Sequence, residues 1–124
     1  MKRLSKINVL DTEYSIFYRT EEEDPSLVDC LGYCDKYQKI IVINDSNIDE
    51  TKEMDKECKT NQWSKSYELL QKKVLRHELT HAFVTECGLS ECSNNQWVNN
   101  EEAIDFMAIN GQKLVELYKR AGAL

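Results

Sequence analysis

The chain has little of what would divide it into parts. Among 124 residues there is one proline, Pro25, and only four glycines, and no Gly/Ser-rich linker or internal repeat interrupts it. With this length, the expectation is a single domain, residues 1–124, built on one hydrophobic core. An excess of positive charge is also missing, since 16 Lys and Arg stand against 22 Asp and Glu, for a net charge of -6. Binding to a phosphate backbone needs a basic patch that releases counterions, so no nucleic acid partner is expected. No run reaches the roughly twenty apolar residues of a membrane span. The basic N-terminus is followed by Ile7 to Leu10, which is interrupted by Asn8 and stopped by Asp11, too short for a secretory signal. The expected location is the cytoplasm, with no membrane partner.

Five cysteines, Cys30, Cys34, Cys58, Cys87 and Cys92, are an odd number, and without a secretory signal they point to reduced thiols. Neither Cys30 with Cys34 nor Cys87 with Cys92 has the C-x-x-C spacing of a zinc knuckle, so a second, cysteine-based zinc is not expected.

Histidine is scarcer still, and both copies fall in one stretch, His77-Glu78-Leu79-Thr80-His81. Two histidines placed at random reach this H-E-x-x-H spacing in roughly one arrangement in several hundred. On a helix, residues four apart share a face, so both imidazoles can bind one divalent metal. Glu78 is then displaced sideways, beside the water that such a metal activates. The pattern predicts one zinc ion with His77 and His81 as ligands and Glu78 as general base.

The flanking periodicity supplies the scaffold. Alternation at Ile7, Val9, Tyr14, Ile16 and Tyr18 predicts two short strands around Leu10-Asp11-Thr12. Glu21 to Asp24 followed by Pro25 reads as a solvated loop. Tyr33 to Asn44 reads as a hairpin turning near Asp35-Lys36, and its second arm carries Ile40 to Ile43, a run suited to a strand covered on both faces. Three or four antiparallel strands are expected. Asp45 to Asn61, rich in charge and poor in apolar positions, is expected to be a surface connection or a poorly anchored helix, and Trp63, just before the long helix, a packing anchor. A long helix from about Ser66 to Cys87 stops at Gly88, a residue suited to a left-handed cap. Its Leu70, Val74, His77, His81 and Val84 form one stripe, and Leu75, Leu79, Ala82 and Phe83 a second, so it should be sandwiched. A last helix, from about Asn100 to Arg120, follows a turn-rich segment from Ser90 to Asn99.

Two histidines leave a zinc site one protein ligand short. Glu101, Glu102 and Asp105, on the last helix, are the candidates. Glu101 and Asp105 are one turn apart, so one can bind metal while the other orients a ligand histidine. The same acids also suit a helix N-terminus on electrostatic grounds alone.

Taken together, His77 to His81 and Glu101-Glu102-Ala103-Ile104-Asp105 resemble the gluzincin metallopeptidases, which pair H-E-x-x-H with E-x-x-x-D on a later helix. The 19 residues between His81 and Glu101 match the interval in thermolysin-like members. This resemblance implies Glu101 as third ligand, with Glu102 as the alternative, and Asp105 as the partner of a ligand histidine. The run from Val74 through His81, the turn at Gly88 and the segment beginning at Trp97 look like small phage- and prophage-type metallopeptidases, minimal gluzincins distantly similar to the ImmA/IrrE type. The expected fold is α+β, a small, mainly antiparallel sheet packed on two principal helices in zincin-like fashion. The expected function is zinc-dependent hydrolysis of peptide bonds in a cytoplasmic protein or peptide, such as a repressor-like regulator, in the host cytoplasm if the chain is phage-encoded. The rival is a zinc-binding regulatory or interaction protein of the same fold without turnover. An oxyanion-stabilising group is left open among Tyr14, Tyr18, Tyr33, Tyr37, Tyr67 and Arg76.

Overall fold

Ile40 to Ile43 form the strand around which the sheet is built, because four consecutive β-branched residues need cover on both faces and a neighbour on each side. The computed structural model of the protein describes residues 3–46, 63–89 and 100–124, with backbone alone for 63–65. Four strands, β1 (Lys6–Val9), β2 (Thr12–Arg19), β3 (Gly32–Asp35) and β4 (Ile40–Asn44), are followed by two helices, α1 (Trp63–Glu86) and α2 (Glu101–Arg120). The sheet order is β1-β2-β4-β3, so β4 is internal, and Ile41, Val42 and Ile43 are wholly buried. The domain is α+β. No helix among the described residues is long and apolar enough to cross a membrane.

The mainly antiparallel sheet expected is a mixed one, and the expected antiparallel strands need correction at its centre. β1 with β2 and β3 with β4 pair antiparallel, but β2 runs parallel to β4, with Ile16 opposite Ile41 and Tyr18 opposite Ile43. The reason lies in the hairpin of β3 and β4. Its apolar arm takes the internal position and its polar arm, Gly32 to Asp35, is left at the edge. The turn is also later than expected, spanning residues 36–39, with the Asp35 carboxylate accepting from the backbone of Tyr37 and Gln38 at 2.9 and 3.0 Å.

One sheet face carries Val9, Tyr14, Ile16, Ile41 and Ile43, which meet Val74 and Ala82 of α1, with Leu70, Leu75 and Leu79 around them. The other face of β4 is covered by the segment after β2. Glu21 to Glu23 are exposed, as expected for a solvated loop, but a 3-10 turn at Pro25–Leu27 buries Leu27 completely. The buried Asn44 amide donates to the carbonyls of Leu27 and Cys30, fixing that segment. A second correction concerns Phe83, which is half exposed rather than part of an inner surface. The opposite side of α1 meets α2 through Val84, Ile104 and Met107. From Gln112 onward every residue of α2 is exposed, so only its first half docks.

Both ends of α1 are tied to the sheet. At its start, Arg3 donates to both Asp45 carboxylate oxygens at 3.1 and 2.9 Å and to the Gln71 side-chain oxygen at 3.0 Å. At its end, Glu86 accepts from the Tyr14 hydroxyl at 2.7 Å and Lys39 Nζ at 2.8 Å. Gly88 then adopts φ of 84° and stops the helix, in the conformation that favours glycine there. The expectations for Asp45 to Asn61 beyond residue 46, for the Trp63 side chain, for Ser90 to Asn99, and for Cys58 and Cys92 lie outside the described residues.

Two predictions follow from these ties and turns. The hydrogen bonds from Lys39, Thr12 and Tyr14 lower the Glu86 carboxyl from 4.5 to about 2. A carboxyl lowered by folding binds fewer protons in the folded state, so its contribution is complete above about 4.5 and is lost as pH falls towards 2. Acid titration of stability should show a decline over this window that is smaller in Glu86→Gln. The β1–β2 turn places Leu10 and Asp11 at φ of 47° and 70°, where Asn-Gly is favoured. Replacing Leu10-Asp11 by Asn-Gly should raise stability by about 1 kcal/mol in denaturant titration.

Candidate metal centre

The second half of α1 meets the first turns of α2. His77 and His81, one helical turn apart, turn their Nε2 atoms towards each other at 3.2 Å. Glu101 bridges them, with one carboxylate oxygen 2.9 Å from His77 Nε2 and the other 3.3 Å from His81 Nε2. The ligand atoms of His77, His81 and Glu101 all lie within 4.8 Å of one another, forming the one such group of three among the described residues. Ligands at about 2.0 to 2.1 Å from a tetrahedral ion are separated by roughly 3.3 Å. The spacing in this group therefore fits a single metal ion of zinc's size.

The proton inventory supports the same fit. His77 Nδ1 lies 2.7 Å from an Asp105 carboxylate oxygen. A carboxylate can only accept, so Nδ1 carries the proton and Nε2 of a neutral His77 presents a lone pair to the cluster. Burial lowers the His81 pKa, against the pull of Glu101, and so favours the neutral, metal-binding imidazole. Two neutral imidazoles and a carboxylate supply borderline nitrogen and hard oxygen donors, a set zinc accepts readily. Glu102 is elsewhere. Its side chain is exposed and outside the group, while its backbone N–H donates to the capping Asn100 side chain at 2.7 Å.

Glu78 projects from α1 towards the sheet and is only 6% exposed, with one oxygen 4.0 Å from His77 Nε2. Burial and the Glu101 charge push its carboxyl up to about 7, against the opposing influence of His77. It is thus beside the group of His77, His81 and Glu101 without belonging to it.

The wall opposite Glu78 is one that the sequence reading missed. A Cβ at Gly32 would come within 2.8 Å of the Val42 carbonyl oxygen and 2.9 Å of a Val74 methyl, and 3.6 Å from Glu78 Cγ. Glycine lets the edge strand β3 press against α1 here. The available signal was a lone glycine opening a strand, a common mark of close backbone approach. Two cavities meet at His77 and Glu78. One, of about 380 Å³, extends past Tyr33, Cys34, Lys36 and Thr85 to His81 and Glu101. The other, about 370 Å³, runs past Leu70 towards α2.

Among the side chains left open as oxyanion donors, Tyr33 and Arg76 border these cavities, but the Tyr33 hydroxyl donates to Asp24. The hydroxyls of Tyr14 and Tyr67 are engaged away from the cluster, with Glu86 and with the Asn44–Ser46 segment. Arg3 covers the Tyr18 ring, and Tyr37 is 86% exposed. Cys30, Cys34 and Cys87 are free thiols outside the metal-ligating group. Burial pushes the Cys34 thiol up to about 12, so it is protonated and a poor ligand.

No family model matches the chain, and no curated protein or solved structure matches it.

The geometry ranks His81, Asp105 and Glu102 by their expected effect on metal affinity. His81→Ala removes one of the three candidate donors and should abolish tight binding of a divalent metal. Asp105→Asn removes only the acceptor that orients His77, and should weaken binding by about 10- to 100-fold. Glu102→Gln should change nothing. Chelator-competition titration of the three variants measures this order, and wild-type affinity in Asp105→Asn would contradict it.

Proposed function

We propose that the chain is a zinc-dependent metallopeptidase of zincin-like, minimal gluzincin architecture, hydrolysing peptide bonds in a protein or peptide. The observation that carries this reading is the buried Glu78 carboxylate held beside the His77, His81 and Glu101 cluster, at the meeting point of two cavities. His77, His81 and Glu101 would hold the zinc, and Asp105 would keep His77 in the right tautomer. Zinc, when bound, polarises a substrate carbonyl and lowers the pKa of water towards 7.

The rest falls to the chain's own residues. Glu78 takes a proton from the attacking water and passes it to the departing amine, so one carboxylate serves as base and then acid. Its low exposure keeps competing water away from that proton, and Gly32 allows the edge of the sheet to close over it. Among the described residues no strand pairs with the outer side of β3, which would offer its main-chain groups to an extended peptide, the mode in which an edge strand binds its ligand. A cytoplasmic setting and a repressor-like substrate belong to this proposal through the family resemblance.

Removing the proton carrier should separate binding from turnover. Glu78→Gln should retain zinc while losing about 10²- to 10⁴-fold in cleavage of a diverse peptide mixture, read by mass spectrometry. Equal cleavage by Glu78→Gln and wild type would contradict the assignment. Zinc binding with no cleavage by wild type would favour a regulatory protein that keeps the metal for stability.

A further inference from the structure

The cavity on the Leu70 side of His77 combines aliphatic walls with two cationic side chains. Its walls are aliphatic, from Leu31, Leu70, Val74 and Ile109. Val74 is nearly buried, while Leu31 and Ile109 remain 45% and 50% exposed. Lys73 and Arg76 also line it, both exposed, while its two acidic groups, Glu78 and Asp105, lie at the His77 end. In a chain with net charge -6, neither of these cations has an ion-pair partner among the described residues. At about 370 Å³ the cavity is at the small end of ligand pockets, about 300 to 1,000 Å³, a size suited to one residue.

Consider what satisfies both features. An internal apolar residue fills the cavity but leaves the cations unused. An acidic side chain reaching inwards buries its carboxylate among aliphatic walls, which is costly. A C-terminal apolar residue meets both demands, because its side chain and its α-carboxylate leave the same carbon. The side chain enters the cavity while the carboxylate stays at the lips, where a guanidinium can bind it through two parallel hydrogen bonds and a lysine adds charge.

We propose that this cavity receives the apolar C-terminal residue of a peptide, with its free α-carboxylate held by Lys73 and Arg76. The substrate class is then peptides ending in a free leucine-like residue. This rests on the metallopeptidase reading, since the cavity also touches His77 and Glu78 and so presents the preceding peptide bond to them. Hydrolysis there breaks that C–N bond. The oxygen of one water joins the carbonyl carbon, and its protons are shared between the new carboxylate and amine. The products are one free amino acid and a shortened peptide.

The test uses four hexapeptides, alike except at the C-terminus: leucine as free acid, leucine as amide, and alanine or glutamate as free acids. Binding is measured by calorimetric titration of the zinc-loaded full chain carrying Glu78→Gln, which keeps the peptide intact, and cleavage is measured with wild type. The leucine free acid should bind at least about tenfold tighter than the amide, a typical gain for charge-assisted hydrogen bonds, and tighter than the alanine or glutamate peptide. Adding Lys73→Met and Arg76→Met should erase the preference for acid over amide while leaving the melting temperature unchanged. Equal affinity for acid and amide, or equal affinity for the leucine and glutamate peptides, would overturn the proposal. Cleavage without such selectivity would overturn it while leaving the metallopeptidase reading in place. Selective binding without cleavage would do the reverse.

Discussion

Two imidazole nitrogens 3.2 Å apart repel one another if both present lone pairs, and the rest of the site answers that constraint. The four-residue spacing on α1 places both rings on one face and so permits the approach. A shared cation or proton between the rings relieves it. Glu101 brings the compensating negative charge, and the Asp105 contact with Nδ1 keeps the His77 proton on the outer face of the ring. Both acids come from the first turns of α2, which explains why only the first half of that helix needs to dock. The contact between α1 and α2 thus rests on a few apolar residues and a polar cluster whose charge balance improves when a cation is present.

The sheet contributes differently. Its core role is to fix α1 from beneath, through Ile41, Ile43 and their neighbours, and to tie both ends of the helix with the Arg3–Asp45–Gln71 and Glu86–Tyr14–Lys39 contacts. Its chemical role falls to β3. By carrying glycine where a side chain would strike the Val42 carbonyl, the edge strand comes close enough to bury Glu78 and to make one wall of the cleft. A buried carboxylate at the junction of two cavities is what distinguishes this cluster from an acid-histidine contact on an ordinary helix surface.

How far the sequence reveals this depends on the range of the interaction. The two helices, the Gly88 stop and the facing of His77 and His81 follow from local periodicity, and they are legible. So is the internal position of Ile40 to Ile43, because a run of β-branched residues can be satisfied in few other ways. The parallel pairing of β2 with β4 is not legible, since it is decided by which arm of a hairpin turns inwards. The exposure of Phe83 is hidden for the same reason, as helical periodicity marks a face without saying whether anything covers it. Between Glu101 and Glu102 local geometry leaves both eligible, and the contact across two helices separates them. Gly32, Lys73 and Arg76 acquire meaning only when strands and helices distant in sequence come together around Glu78 and His77.

The central claim is the composition of the metal centre, and X-ray absorption at the zinc edge, on protein loaded with one equivalent, tests it directly. The expected spectrum contains only nitrogen and oxygen neighbours at about 2.0 to 2.1 Å, with the multiple-scattering signature of two imidazoles. A sulfur shell at about 2.3 Å would place the ion on cysteines, and absence of the imidazole signature would remove it from His77 and His81. Either result would contradict the assignment.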